Sequence, residues 1–98
     1  RDGTAAKVGV FLQLSGGTGP DGIAVDEEGG LVVAHVGMGA VWLFNRKGEP
    51  RLRIDSPAGT ITTNVAFGGP DRKSLFVTEA ETGSILRASV PVAGLKLL

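Results

Sequence analysis

Ninety-eight residues with ten basic and ten acidic side chains carry no formal net charge, and 42% of them are hydrophobic, the balance of an ordinary globular chain. Neither sign of charge runs longer than the three acidic residues Asp26-Glu27-Glu28, so the chain offers no basic patch to a nucleic acid or an anionic membrane, and neither is expected as a partner. Cysteine is absent, which excludes disulfides and thiolate metal sites and leaves oxygen donors and the single histidine, His35, as the ligands available to a metal.

Apolar runs such as Leu31 to Val36 have the length of a strand, far below the ~20 residues of a membrane helix. No signal-peptide pattern opens the sequence, and Arg1-Asp2-Gly3 stands where an initiator methionine would, so the real N-terminus is expected upstream. Sixteen glycines and five prolines leave little room for a long helix, because each interior glycine costs about 1 kcal/mol and each proline about 3 relative to alanine. The chain reads as all-β. In order, strands are predicted near Val8 to Gln13, Gly22 to Asp26, Leu31 to His35, Val41 to Asn45, Leu52 to Asp55, Asn64 to Phe67, Leu75 to Glu79 and Ser84 to Ala88. Glu28-Gly29-Gly30 and Lys47-Gly48 supply turns with positive φ, and Pro70-Asp71 presets another. Leu31 to Ala34 is apolar at consecutive positions, which implies burial on both faces of its sheet.

The segments Gly22 to Asp26, Leu31 to His35 and Gly39 to Leu43 are echoed by Asn64 to Gly68, Leu75 to Glu79 and Gly83 to Arg87. The spacing is 42 residues at the first pair and 44 at the other two. A period in the low forties, with three strands visible per unit and a fourth from the connecting stretch, is the signature of an antiparallel four-stranded β-propeller blade. Residues 19–57 and 58–98 then form two blades, the second being the last of its ring, and residues 1–18 hold the outer strand of a preceding blade. Propellers close with ~4–8 blades, so this amount is an incomplete ring. Either a missing segment carrying the remaining blades or self-association is expected to cover the open sheet faces.

Gly19-Pro20-Asp21-Gly22 precedes the inner strand of the first unit. A side chain placed there points toward the axis where blades converge, and an oxygen ligand at that position can share a cation with other blades. The competing reading is a plain Pro-Asp-Gly turn with Asp21 bonded to its own backbone. His35 ends the second strand at the same mouth, placed to touch a substrate hydroxyl or to act as an acid, although such a histidine is equally a hydrogen-bonded structural residue. Glu79 is its repeat equivalent, with a solvated side chain as the alternative. Thr63 holds the repeat position of Asp21 and can at most contact substrate, and Asn64 aligns with Gly22 and reads as a turn residue. Trp42 and Phe44 read as packing between blades. No phosphate loop, nucleophile elbow or Ser-His-Asp set is present.

The run from Gly19 to Ala34, then Val41-Trp42-Leu43-Phe44, then Thr62-Thr63-Asn64-Val65-Ala66-Phe67-Gly68-Gly69-Pro70-Asp71 and Leu75-Phe76-Val77-Thr78, resembles the last two blades of gluconolactonase/regucalcin-like proteins. The resemblance covers nearly the whole chain, from about Val8 to Leu98. It implies a six-bladed propeller with one divalent cation in its channel, Ca2+ or Zn2+, with Mg2+ or Mn2+ as further options. The ligands would be a Glu from the first blade, an Asn from a middle blade and the Asp of the Pro-Asp-Gly motif, here Asp21. By the same resemblance Asp21 is also the base that activates water, the substrate is a sugar lactone, and His35, Thr63 and Glu79 are candidate substrate contacts. The expected activity is lactone hydrolysis by the full-length protein, the 98-residue piece being inactive alone. The alternatives are a non-catalytic propeller of the NHL type that binds a protein or peptide, and an inactive fragment.

Overall fold

A computed structural model describes residues 10–96, and these contain seven strands and no helix. They are β1 (Gly19–Val25), β2 (Leu31–Val36), β3 (Ala40–Phe44), β4 (Pro50–Asp55), β5 (Thr62–Gly68), β6 (Ser74–Glu79) and β7 (Ser84–Ser89). Each pairs antiparallel with its successor, giving one sheet β1-β2-β3-β4 and a second sheet β5-β6-β7. Two meandering sheets in sequence, stacked face to face, are two blades of a propeller. The thin dimension of the chain, 21 Å, is about two sheet layers at ~10 Å each.

The turns form where the sequence supplies the chemistry. Asp26 closes the β1–β2 hairpin by accepting the amides of Glu28 and Gly30 on Oδ1 at 2.9 and 2.8 Å, while Gly29 takes φ +82°. Asn45 does the same between β3 and β4, accepting from Lys47 and Glu49, with Gly48 at φ +82°. Asx side chains that mimic a backbone turn account for both.

Burial follows the sequence pattern. Val32, Val33, Ala34 and His35 on β2 are all buried, as consecutive apolar positions require of a strand covered on both faces. The core between the blades joins Val32, Ala34, Val41 and Leu43 of the first sheet to Val65, Leu75 and Val77 of the second. Thr62, also buried, stitches the two together: its hydroxyl donates to the His35 carbonyl at 2.9 Å and shares that proton with the Ala40 carbonyl at 3.1 Å.

Two expectations need correction. Val10 to Gln13, the described part of the strand expected at Val8 to Gln13, forms no strand, and Val8 and Gly9 lie outside the described residues. Among the described residues the second sheet has three strands, not four, and the chain after Ser89 turns away from the edge of β7 and crosses to the first sheet. There the Glu27 amide donates to the Ala93 carbonyl at 2.9 Å and the Leu95 amide to the Val25 carbonyl at 3.0 Å, and Asp26 bridges Gly94. This tail ties the two blades at the end opposite Asp21.

Candidate functional site

One end of the stacked sheets gathers the start of β1, the end of β2, the β2–β3 turn, the connection from β4 to β5, the start of β5 and the β6–β7 turn. Asp21 lies there, but not in a free turn. Pro20 pairs with His35 and Ile23 with Val33, so Asp21 and Gly22 together oppose Ala34 alone, and the strand bulges at the carboxylate. The second blade repeats this: Thr62 pairs with Glu79 and Asn64 with Thr78, leaving Thr63 as the extra residue. A bulge re-aims the side chain it carries, and bulges concentrate beside functional sites. Asp21 and Thr63 therefore share a structural position as well as a repeat position.

The two bulges touch. A methyl group on Gly22 would sit 2.6 Å from Asn64 Cα and 2.8 Å from the Thr63 carbonyl oxygen, so glycine at position 22 is what lets the inner strands approach. Asp21 is exposed, and among the described residues no hydrogen bond or ion pair engages its carboxylate. Thr63 is half-buried with its hydroxyl 2.9 Å from that of Thr78, and Asn64 Oδ1 accepts the Val65 amide at 2.9 Å, a local turn-like bond.

His35 reaches the same end, but it is buried and both ring nitrogens have partners. The Trp42 indole donates to Nδ1 at 3.2 Å, which places the ring proton on Nε2, 2.9 Å from the Gly16 carbonyl. The ring thus secures the segment that leads into Gly19-Pro20-Asp21. Trp42 in turn stacks on Phe44 and carries the Arg53 guanidinium 5.2 Å from its centroid.

Glu79 is buried, not solvated, and its carboxylate is spent on the backbone. Oε2 accepts the amides of Ile61 at 3.1 Å and Glu81 at 2.8 Å, and Oε1 accepts the Thr82 amide at 2.9 Å together with the Thr82 hydroxyl. Burial alone would raise its pKa, but the bonds from the Thr82 hydroxyl and the three amides outweigh it and lower the value from 4.5 to about 2. A folded-state pKa below the unfolded one means stability that is fully present above the unfolded value and lost as pH falls toward the folded one. Denaturation midpoints of wild type and Glu79→Gln are thus expected to converge as pH drops from about 5 to about 2. A constant gap across that window would refute the assignment.

Among the described residues no group of three His, Cys, Asp or Glu stands close enough to hold an ion. A hard cation takes six or more oxygens, so the described residues alone would not hold one, and a site at this end could draw at most a single carboxylate, that of Asp21, from them. Neither of two grooves on the chain is lined by Asp21, although the smaller reaches Ser56, Pro57 and Thr62 at this end. One of about 660 Å3 lies at the opposite end, between Phe44, Arg51 and Pro91, and one of about 370 Å3 lies between the outer strands, lined by Val41, Ile54, Val77 and Ile85. A central channel needs more blades than two.

The sequence pattern of the SMP-30/Gluconolactonase/LRE-like region matches residues 1–81. The chain belongs to this family. Within it, the chain is 43% identical over 61 residues to the pentonolactonase XacC of Haloferax volcanii, covering 62% of this chain and 21% of that protein. It is 37% identical over 84 residues to an uncharacterized protein of Sulfolobus acidocaldarius, covering 79% of this chain and 30% of that one. Among solved structures it superimposes on regucalcin from Agrobacterium tumefaciens, a calcium-binding protein, with a TM-score of 0.68 and 31% identity. That match also covers 79% of this chain and 30% of the other. The chain therefore spans under a third of the length of these family members, and its all-β, two-blade architecture is that of a partial propeller.

The residues that sequence reasoning missed at this end are Thr62 and Gly22, which join the blades. The signal for Thr62 was its place at the repeat position of Pro20, opposite Glu79. Nothing in one sequence shows that Gly22 faces a neighbouring strand.

Proposed function

We propose that the full-length protein is a divalent-cation-dependent hydrolase of sugar lactones and that Asp21 is both a cation ligand and the base. The observation that carries this reading is the Asp21 carboxylate itself, exposed on a strand bulge at the converging ends of the inner strands with no protein partner among the described residues. The family relationship, a pentonolactonase relative and a calcium-binding structural relative support it.

A divalent cation bound at Asp21 supplies Lewis-acid polarisation of the lactone carbonyl. Asp21 accepts a proton from the water that attacks the carbonyl carbon. It returns that proton to the ring oxygen as the carbon–oxygen bond breaks, and the product is a hydroxy acid with no other co-reactant. Thr63 lies on the adjoining bulge and is placed to bond a substrate hydroxyl. His35 and Glu79 support the site from behind by holding the backbone segments on either side of it.

Titration of the full-length protein with Ca2+ and with Zn2+, paired with hydrolysis of a sugar lactone before and after chelation, tests the proposal. Cation binding with chelator-sensitive turnover is expected. A protein that binds neither ion and hydrolyses no lactone would turn the reading toward a propeller that binds a peptide at its mouth, and equal hydrolysis in chelator would remove the cation from the reaction.

A further inference from the structure

A buried carboxylate is costly unless hydrogen bonds replace its hydration. Glu79 meets that condition with donors from two different segments, the β6–β7 turn through Glu81 and Thr82 and the connection between blades through Ile61. The connection is tied further at each step. The Thr60 carbonyl accepts the amides of Gly37 and Gly39 from the β2–β3 turn, both at 2.9 Å, and the Ile61 carbonyl accepts the Ala80 amide at 2.8 Å. The Thr60 amide donates to Glu81 Oε1 at 2.8 Å, and Thr62 follows with its bond to the His35 carbonyl. The next residue is Thr63, on whose bulge Gly22 rests, and Gly22 is the neighbour of Asp21.

We propose that Glu79 is a positioning residue for the Asp21 site: by clamping Ile61, Glu81 and Thr82 it fixes the β5 bulge against which the Asp21-Gly22 bulge is set. The inference rests on the reading of Asp21 as a cation ligand. Gly59 offers a second handle on the same clamp. A methyl group there would lie 2.6 Å from both Glu79 Oε2 and Glu81 Oε1, so Gly59→Ala pries the clamp apart without removing either carboxylate. Its backbone does not need glycine for conformation, since its φ is not in the positive range.

The experiment is calorimetric titration of the full-length protein with Ca2+ alone, for wild type, Asp21→Ala, Glu79→Gln, Gly59→Ala and Leu75→Ala, each first checked for its β-sheet circular dichroism. Residues that orient a metal ligand without touching the metal are typically worth roughly 10–100-fold in affinity. Glu79→Gln and Gly59→Ala are expected to weaken Ca2+ binding by about ten-fold or more. Leu75→Ala, which loosens the core away from the mouth, is expected to lose stability and keep its affinity. Wild-type affinity in folded Glu79→Gln or Gly59→Ala, with binding lost in Asp21→Ala, would overturn the positioning role alone. An equal loss of affinity in Leu75→Ala would overturn it too, by showing that any destabilisation suffices. Should Glu79→Gln fail to fold, Gly59→Ala decides, and failure of both to fold counts against the proposal. Retained affinity in Asp21→Ala would refute the underlying assignment of the ligand.

Discussion

Asp21→Ala in the full-length protein is expected to cut lactone hydrolysis by about 1,000-fold while leaving thermal stability within about 0.5 kcal/mol of wild type. The two halves of that expectation have separate causes. Loss of a positioned base costs roughly 100- to 10,000-fold in rate, and loss of an oxygen ligand weakens the cation in addition. Stability stays because the carboxylate is exposed and unpartnered among the described residues, so its removal breaks no hydrogen bond and opens no cavity. Rate and cation affinity, measured with the melting temperature, check both halves. A variant that unfolds would recast Asp21 as a turn residue, and one that keeps its rate and its cation would remove it from the chemistry. Thr63→Ala, at the matching bulge of the next blade, is expected to raise KM without reaching such a loss in kcat.

The blade repeat was legible because the residue pattern and the physics share a period. Consecutive apolar residues at Leu31 to Ala34 demanded two covered faces, and the strand has them. The bulge at Asp21 was not legible, since a bulge is a relation between two strands, and Pro-Asp-Gly in isolation describes a turn just as well. The strand accordingly begins at Gly19, three residues before the predicted start at Gly22. Glu79 was misjudged for a different reason. Its charge argued for solvent, yet it alternates in step with Leu75 and Val77 on the buried face of β6, and that parity was the signal to weigh. What burial of a carboxylate requires, a set of backbone donors, is assembled from residues 61, 81 and 82, and only the fold brings the first of these to the others. Val10 to Gln13 forms no strand because a run of apolar residues specifies a strand only when another strand is there to pair with it.

A contrast between two buried-type positions tests whether a complete ring surrounds this chain. Leu75 lies in the core between the two blades at 0% exposure, whereas Ile85 is 74% exposed. Yet Ile85 is the repeat equivalent of Val41, which is buried against the second blade, and it shares an open sheet face with Phe76. A third blade stacked on that face would cover Ile85 as the second blade covers Val41. Leu75→Ala is therefore expected to cost about 2–5 kcal/mol wherever the two blades fold together, because the cavity it leaves lies inside this chain. Ile85→Ala is expected to cost nearly nothing in the 98-residue chain, and about 2–5 kcal/mol in a polypeptide of the relatives' full length, where the next blade packs on it. Urea midpoints with unchanged m values give both numbers. An equally small cost for Ile85→Ala in the longer protein would mean that this face stays open, and the ring proposed to bring further cation ligands to Asp21 would not close on this side.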